Sequence, residues 1–471
     1  MAVDNKIKDY TDRIDEWQMM RDCARGATAV AGRGKAYLPM PSGFGTQLDG
    51  GVAMFSAYAM RAQFPDILAP TLRGMVGVIH RVEAQIEGLE EGKPLSYLWE
   101  AATLDGLPLE ALHRRITGEV LQMGRYGLMT DVSAEGGQPY LAGYSAESLI
   151  NWSEQRDFYV LDESGLKREK FDWQAFKRHR VLELIGGKYT AEIYDGQGAD
   201  APQGAFEPSL AGGKKLEEIP FVVIGPRDLA VRPDEPPLIG VARASLALYR
   251  LDADYRHQLF STGQETFVVI NGDAPSAVGS GVIITLKGEQ SITPDAKYVS
   301  PTGKGIEAHR TAIQDERANA VASGSSLFDN EQGQGESGEA RKLRLGAQRA
   351  TLTSVALASA AGLERALRYA AMFVGQDPNE IVVKPNLQFV DQVMNPLDAA
   401  NLVKVWQAGA ISKQTLYENL QRGEVASSER TFEEEEELIA ADQEGMEPVA
   451  EVEIDPATGQ PIDENSPPIA A

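Results

Sequence analysis

Two glycine-rich segments have the residue types that cradle phosphate groups. Residues 333–338, GQGESG, match the GxGxxG pattern of dinucleotide-binding turns and precede a predicted helix. No strand is predicted before them, and Glu336 would face the pyrophosphate, so an exposed loop is the preferred interpretation. Residues 29–36, AVAGRGKA, resemble a P-loop, but Ala29 replaces its first glycine and Ala36 replaces its Mg²⁺-binding hydroxyl. The sequence therefore favours no nucleotide site.

Other reactive residue types are not spaced for catalysis or metal binding. No HExxH or GxSxG motif occurs, and the single cysteine, Cys23, is predicted to be a buried free thiol. Asp252 and Asp254 are two positions apart on a predicted helix and point about 200° from each other, which is typical of a solvated face. We expect no catalytic residue, metal or cofactor, and no enzymatic activity. The histidines, expected on the surface or satisfied in the core, are His80, His113, His179, His257 and His309.

Length and composition indicate a folded chain with an acidic end. The 471 residues are 43% hydrophobic, enough for one large domain or two to three ordinary ones. The net charge is −24, of which residues 429–471 contribute −13, and this argues against tight nucleic-acid binding. Val355 to Gly375 is interrupted by Glu364, Arg365 and Arg368 and is no membrane span. The first residues lack the apolar core of a signal peptide, so we expect a soluble protein that is not exported.

The first half of the chain mixes helix and strand patterns. Apolar residues three and four apart predict an amphipathic helix from Leu109 to Met123, and Leu128–Val132 is a predicted strand. Residues 180–185 and 188–193 flank Gly186-Gly187 and predict a hairpin. Residues 218–225 predict another strand, and the prolines of 232–237 predict a boundary.

The second half is mainly helical. One helix is predicted from Leu238 to near Gly263, and another from about Ile306 toward Phe328. Between them, residues 264–305 predict a small β insertion with strands Thr266–Ile270 and Val282–Leu286. Residues 329–338 predict an exposed loop, and 339–374 a long helix rich in small residues that permit close helix contacts. From about residue 440 we expect a disordered acidic tail.

This order of elements, and several local segments, resemble the portal proteins of tailed double-stranded DNA bacteriophages. The resemblance spans about residues 37–425 and is weakest in the β insertion, the polar loop and the acidic tail. The matching segments are Leu121–Asp131 (LQMGRYGLMTD), Pro139–Leu141, Tyr144–Trp152 (YSAESLINW), Ile219–Phe221, Pro236–Leu238, Leu248–Tyr255 (LYRLDADY), Asn395-Pro396 and Gly409–Ser412.

The resemblance implies an α+β portal fold. It would have an α/β wing, a two-helix stem, a β-rich clip, a tunnel loop, a long helix and a helical crown-side region. The implied domains are 1–235 wing, 236–263 first stem helix, 264–305 clip, 306–328 second stem helix, 329–338 tunnel loop, 339–374 long helix, 375–439 wing return and crown-side helices, and 440–471 acidic tail.

The resemblance also implies three sets of functional residues. The tunnel loop would line a DNA channel, the clip would dock the terminase or adaptor proteins, and the stem and long helix would form the ring interface. The channel residues are Phe328, Asp329, Asn330, Glu331, Gln332 and Glu336. The docking residues are Phe267, Val269, Ile283, Lys287, Lys297 and Lys304. The interface residues are Leu248, Tyr255, Leu259, Ala347 and Ala350.

The function implied is a dodecameric ring at one capsid vertex of the virion, assembled in the host bacterial cytoplasm. It would conduct double-stranded DNA, bound weakly and nonspecifically, during packaging and ejection. Its partners would be the large terminase, the major capsid protein and head completion or adaptor proteins, with no membrane. Two alternatives stay open: another oligomeric head-tail adaptor or scaffold component, and a hydrolase or nucleotide-dependent enzyme with an unrecognised site.

Overall fold

The structure is a computed structural model. It describes residues 2–132, 137–263, 265–278, 285–286, 293–299, 303–324, 338–387, 389, 396–423, 425–427 and 430–445. The chain forms two compact units, Met1–Phe389 and Val390–Ala471. The first combines helices with open sheets and has the mixed α+β composition expected from the sequence.

The helices of the first unit lie where apolar residues recur every three or four positions. Helix α6, Leu109–Met123, has the bounds predicted from the sequence and buries Leu112, Ile116 and Val120. It ends at Gly124, whose φ of 69° is left-handed and favours glycine. The other helices of this unit are α1 Lys8–Thr11, α2 Ile14–Arg25, α3 Ala27–Gly32, α4 Val52–Arg61, α5 Leu68–Ile79, α7 Ile239–Thr262, α8 Ile306–Ala322 and α9 Gly338–Val374.

The strands of the first unit pair in an antiparallel manner. Their bounds are β1 Gln85–Glu87, β2 Tyr126–Asp131, β3 Tyr140–Ser145, β4 Leu149–Trp152, β5 Phe158–Asp162, β6 Gly165–Glu169, β7 Asp172–Phe176, β8 Arg178–Ile185, β9 Lys188–Asp195, β10 Gly204–Phe206, β11 Phe221–Ile224, β12 Thr266–Ile270, β13 Asp295–Val299 and β14 Val382–Lys384.

These strands form a three-stranded sheet, β11-β2-β3, a five-stranded sheet, β10-β9-β8-β5-β4, and the pairs β1-β14, β6-β7 and β12-β13. The hairpin predicted around Gly186-Gly187 is confirmed as β8-β9, with Ile185 opposite Lys188. Both glycines have positive φ, as a two-residue hairpin turn requires.

Helix α9 packs on the three-stranded sheet. Its small residues Ala356, Ala360 and Ala366 are fully buried or nearly so, and the Thr130 hydroxyl on β2 donates to the Ala366 carbonyl at 2.7 Å. The small side chains predicted to allow close helix contacts therefore also let α9 approach a sheet of its own chain.

Between α7 and α8 the chain forms the predicted β insertion in part. Helix α7 and strand β12 agree with the prediction, whereas α8 ends at Ala322, before the expected Phe328. Most of the second predicted strand, 282–286, lies outside the described residues. Strand β12 pairs with β13, Asp295–Val299, a strand that the sequence pattern did not predict.

The second unit contains α10 Pro396–Gln407, α11 Lys413–Arg422 and α12 Phe432–Gly445. Helix α12 includes residues 440–445, so the prediction of a disordered tail from residue 440 was wrong for them. A capping box explains this helix: Thr431 N donates to Glu434 Oε2 at 2.8 Å, and Glu434 N donates to Thr431 Oγ1 at 3.3 Å. Residues 446–471 lie outside the described part.

None of the described helices is both long and apolar enough to cross a membrane.

Candidate functional site

The candidate site is the helix pair α7 and α8 together with the insertion between them. The two helices are antiparallel, since Gly240 near the start of α7 faces Ser323 after α8, and Gln258 near the end of α7 faces Gly305 before α8. A Cβ at Gly240 would lie 2.8 Å from the Ser323 Cβ, and one at Gly305 would lie 2.6 Å from Gln258 Nε2. Glycine at both ends therefore permits close contact of the helices.

Exposure increases along the helix pair toward the insertion. The first half of α7 is anchored in the core by Val241, Ala242 and Ser245, whereas no residue from Asp254 to Thr262 is buried. Ala320 is the one buried residue described on α8, and none in β12 or β13 is buried. The 24 residues of α7 extend about 36 Å, so the helix leads from the core to a solvent-exposed β pair.

Residues 41–65, here called the brace, support the exposed half of α7. The Tyr58 hydroxyl donates to Asp254 Oδ1 at 2.6 Å, and the backbone N–H of Gln63 donates to Asp252 Oδ2 at 2.7 Å. Arg256 joins them, donating from Nε to Asp252 and from Nη2 to Gln63 Oε1, each at 2.7 Å. The interpretation of a solvated face holds for Asp254, which is exposed, whereas Asp252 is half-buried. It missed that both carboxylates also bind a segment almost 200 residues earlier in the chain.

Aromatic rings reinforce the same contact. Phe44, Tyr58 and His257 form an edge-to-face cluster with ring centroids 5.4–5.8 Å apart. The Arg61 guanidinium lies 3.8 Å from the ring centroid of Phe260. Burial, and then the hydrogen bond to Asp254, raise the pKa of Tyr58 well above its usual value, so this phenol remains a hydrogen-bond donor at neutral pH.

The contacts described at this site are packing contacts, hydrogen bonds and ion pairs. Its cleft, of about 210 Å³, lies among the brace, α7 and α8 and contains Asp252, Arg256 and Arg317. Within the described residues, no group of three or more His, Cys, Asp or Glu side chains could hold a metal ion. Cys23 on α2 is fully buried, as predicted, and burial raises the pKa of its thiol to about 12. It is therefore a poor nucleophile.

Four of the predicted docking residues lie within the described part of the insertion or beside it. Phe267 and Val269 on β12 are half-buried, and the Phe267 ring lies 5.1 Å from that of Tyr298 on β13. Lys297 on β13 is exposed and opposite Val268, and Lys304 before α8 is exposed. Ile283 and Lys287 lie outside the described residues.

The predicted interface residues have different environments. Leu259 is 40% exposed, Tyr255 is half-buried and Ala350 is exposed, so their assignment stays a prediction. Leu248 is only 3% exposed because its own chain covers it, which argues against a direct contact with another copy. The side chain of Ala347 is outside the described part. So are all the predicted channel residues, Phe328, Asp329, Asn330, Glu331, Gln332 and Glu336.

The prediction of satisfied core histidines is confirmed for His80 and His113, whereas the buried His179 has an Nδ1 without a hydrogen-bond partner among the described residues. His80 Nε2 shares a hydrogen bond with Thr117 Oγ1 at 2.8 Å, and His113 Nε2 lies 3.3 Å from Ser359 Oγ on α9. The two imidazole rings are edge to face, 4.7 Å apart. These contacts connect α5, α6 and α9, so this pair is part of the core packing.

One family model matches the part of the chain that contains this site and extends beyond it through α9. A family described as a domain of unknown function (DUF4055) matches residues 237–374, which run from the start of α7 to the end of α9. No curated protein matches the chain.

Three similar solved structures are components of gene transfer agent (GTA) particles, each 15% identical to this chain. One, from the neck of an empty GTA particle with C6 symmetry, has a TM-score of 0.41 and covers 80% of this chain and 94% of the other. A chain from the virion of a native GTA particle has a TM-score of 0.41, and one from the native neck with C12 symmetry has 0.38. Both of these cover 84% of this chain and 99% of the other.

Proposed function

We propose that the chain is a portal subunit, which assembles with copies of itself into a ring at one vertex of a phage-type capsid. The ring would conduct double-stranded DNA into the capsid and out again. In this proposal α7 and α8 are the stem, residues 264–305 are the clip, and residues 329–338 line the channel. The sequence resemblance over residues 37–425 motivates the proposal.

The observation that supports it best is the antiparallel helix pair with the β12-β13 insertion at its exposed end. A portal subunit needs a stiff connection between its body and a docking module. The glycine contacts of Gly240 and Gly305 join the helices closely, and the bonds of Asp252 and Asp254 attach α7 to the brace. The Gly305 contact and the brace both support the exposed half of α7.

The charge of the chain is consistent with a conduit. A ring of subunits that each carry −24 would repel the phosphate backbone on average. Because DNA must slide in both directions, weak contacts with the wall serve better than tight ones. The exposed Lys297 and Lys304 would then provide local positive charge for docking at the clip.

Negative-stain electron microscopy of the purified full chain tests the ring. We expect closed rings with a central hole, and light scattering should give a mass that is a fixed multiple of the subunit mass. A monodisperse monomer at all concentrations, or a compact oligomer without a hole, would contradict the proposal.

Deletion of residues 329–338 tests the channel assignment separately. The variant should form rings of unchanged mass but package or retain less DNA in particles assembled with the remaining capsid components. Failure of ring assembly would count against a role restricted to the channel. The matched control replaces the same ten residues by a Gly/Ser segment of equal length, which keeps the connection but removes Asp329, Glu331 and Glu336.

A further inference from the structure

The hairpin formed by β6 and β7 has an unusual surface for this acidic chain. It continues from β5 and β8, since Glu163 N donates to the Arg178 carbonyl at 2.9 Å beyond the last pair of those strands. Every residue of β6 and β7 except Phe176 is exposed. The hairpin therefore contributes little to the core, and its composition needs another explanation.

Large apolar side chains of the hairpin face solvent. Leu166 is 62% exposed, Trp173 is 59% exposed and Phe171 at the turn is 96% exposed. Leu166 is opposite Ala175, and Arg168 is opposite Trp173. Paired residues lie on the same face of a hairpin, and so do residues two apart on one strand. One face therefore presents Leu166, Arg168, Trp173 and Ala175. This face combines apolar surface with a guanidinium group, a composition enriched in protein interfaces.

The hairpin is also locally basic. Lys167, Arg168, Lys170 and Lys177 are exposed, and no ion pair to any of them occurs within the described residues. Only Glu169 and Asp172 oppose them between residues 165 and 177, which leaves this segment positive in a chain of net charge −24. Like charges disfavour pairing of two such hairpins, whereas an acidic partner would relieve the repulsion.

The outer edge of β6 is open to a further strand. In the described part of the chain, β7 is its only strand partner, and no backbone hydrogen bond from outside the hairpin reaches β6. At β7, by contrast, Gly196 N donates to the neighbouring Lys177 carbonyl at 2.9 Å. A cleft of about 770 Å³ is lined by residues 166–168 of β6, by 176–178, and by Asp195 and Gly196 at the end of β9. The Asp195 carboxylate in it is paired with Arg178, so the lysines of the cleft remain available to a partner.

We propose that the β6 edge and this cleft bind an extended acidic segment of a partner protein by strand addition. The backbone of the segment would pair with β6, its carboxylates would contact Lys167 and Lys170, and its apolar side chains would cover Leu166 and Trp173. Strand addition supplies affinity through main-chain hydrogen bonds and specificity through alternate side chains. The exposed leucine and the open strand edge favour a polypeptide over DNA, which needs neither. The surface lies outside the helix pair and its insertion, so the inference does not depend on the proposed function.

The test measures binding of a fluorescein-labelled peptide, GEVEIEVG, to the full chain by fluorescence anisotropy. We expect saturable binding that K167E/K170E weakens about tenfold or more, since two attractive contacts become repulsive. The control K188E/K214E makes the same charge change at two exposed lysines elsewhere and should alter Kd by less than about twofold. Circular dichroism should show that both variants are folded.

A second peptide, N-methylated at alternate positions, separates strand addition from charge attraction. It keeps the carboxylates but loses main-chain hydrogen-bond donors. We therefore expect it to bind at least about tenfold more weakly than the unmodified peptide. Equal binding of the two peptides, equal binding to wild type and K167E/K170E, or no saturable binding would each overturn the inference. So would tighter binding of a short DNA duplex that depends on Lys167 and Lys170, because the surface would then bind nucleic acid.

Discussion

Gly240 and Ser323 lie so close that a Cβ on the glycine would be 2.8 Å from the Cβ of the serine. This contact is at the core end of the helix pair, where α7 begins and α8 has just ended. The matching contact at the other end, between Gly305 and Gln258, involves the amide end of a flexible side chain. The two glycines therefore predict different responses to the same substitution.

Gly240→Ala should destabilise the chain by about 1–3 kcal/mol, because the added methyl group overpacks against the Ser323 Cβ. Its gain in helix propensity, at most about 1 kcal/mol, opposes this cost. Gly305→Ala is the control and should change stability by about 0.5 kcal/mol or less, since the Gln258 amide can rotate away. Urea unfolding measures the free energy of unfolding of both variants. Equal stability of Gly240→Ala and wild type would show that the helices are not in close contact there.

Tyr58→Phe should lower stability by about 1 kcal/mol, because it removes the hydroxyl that donates to Asp254. A double-mutant cycle with Asp254→Ala, which removes the acceptor, should give a coupling energy of about 1 kcal/mol. The control is Tyr255→Phe on α7, since no hydrogen bond of the Tyr255 hydroxyl occurs within the described residues. Additive effects of Tyr58→Phe and Asp254→Ala would mean that the brace does not depend on this bond.

The histidine pair should make the fold sensitive to acid. Burial lowers the pKa of His80 to about 4 and that of His113 to about 3, whereas both are near 6.5 when unfolded. At a pH between the folded and the unfolded pKa values, the unfolded chain therefore binds more protons than the folded chain. The contribution of the pair to the free energy of unfolding is complete above about pH 6.5 and falls as the pH drops toward 3–4. His80→Gln should reduce this loss of stability, followed as the melting temperature from pH 7 to 4. His309→Gln, away from the core pair, should retain the wild-type pH dependence, and the same slope in both variants would contradict the prediction.

Gly362→Ala should strain the contact between α9 and β11. A Cβ at Gly362 would lie 2.4 Å from both Cγ1 and Cδ1 of Ile224, a residue without exposed surface, so we expect a cost of about 1–3 kcal/mol. Ile224→Ala alone should cost about 2–5 kcal/mol through the cavity that it leaves. The double variant should be more stable than the sum of the two effects predicts, as measured by urea unfolding. Strict additivity would show that these residues do not touch.

Local patterns were sufficient where a segment's structure depends on its own residues. The apolar spacing of Leu109–Met123, followed by Gly124, defined α6 to the residue, and Gly186-Gly187 identified the β8-β9 hairpin. The capping box at Thr431 and Glu434 was equally local, but the acidic composition of the segment obscured it. Strand β13 was missed because its short sequence, DAKYV, is recognisable mainly through its pairing with β12.

By itself, the sequence determined helix α6, the β8-β9 hairpin, the acidic charge balance and the two helices that bracket a β insertion, because periodicity and turn residues act over neighbouring positions. Only the tertiary structure decided the partners of Asp252 and Asp254, the burial of Leu248 and the open edge of β6. These depend on contacts between segments far apart in the chain. A side chain's environment follows from which distant surfaces pack against it, and that is set by the whole fold rather than by local spacing.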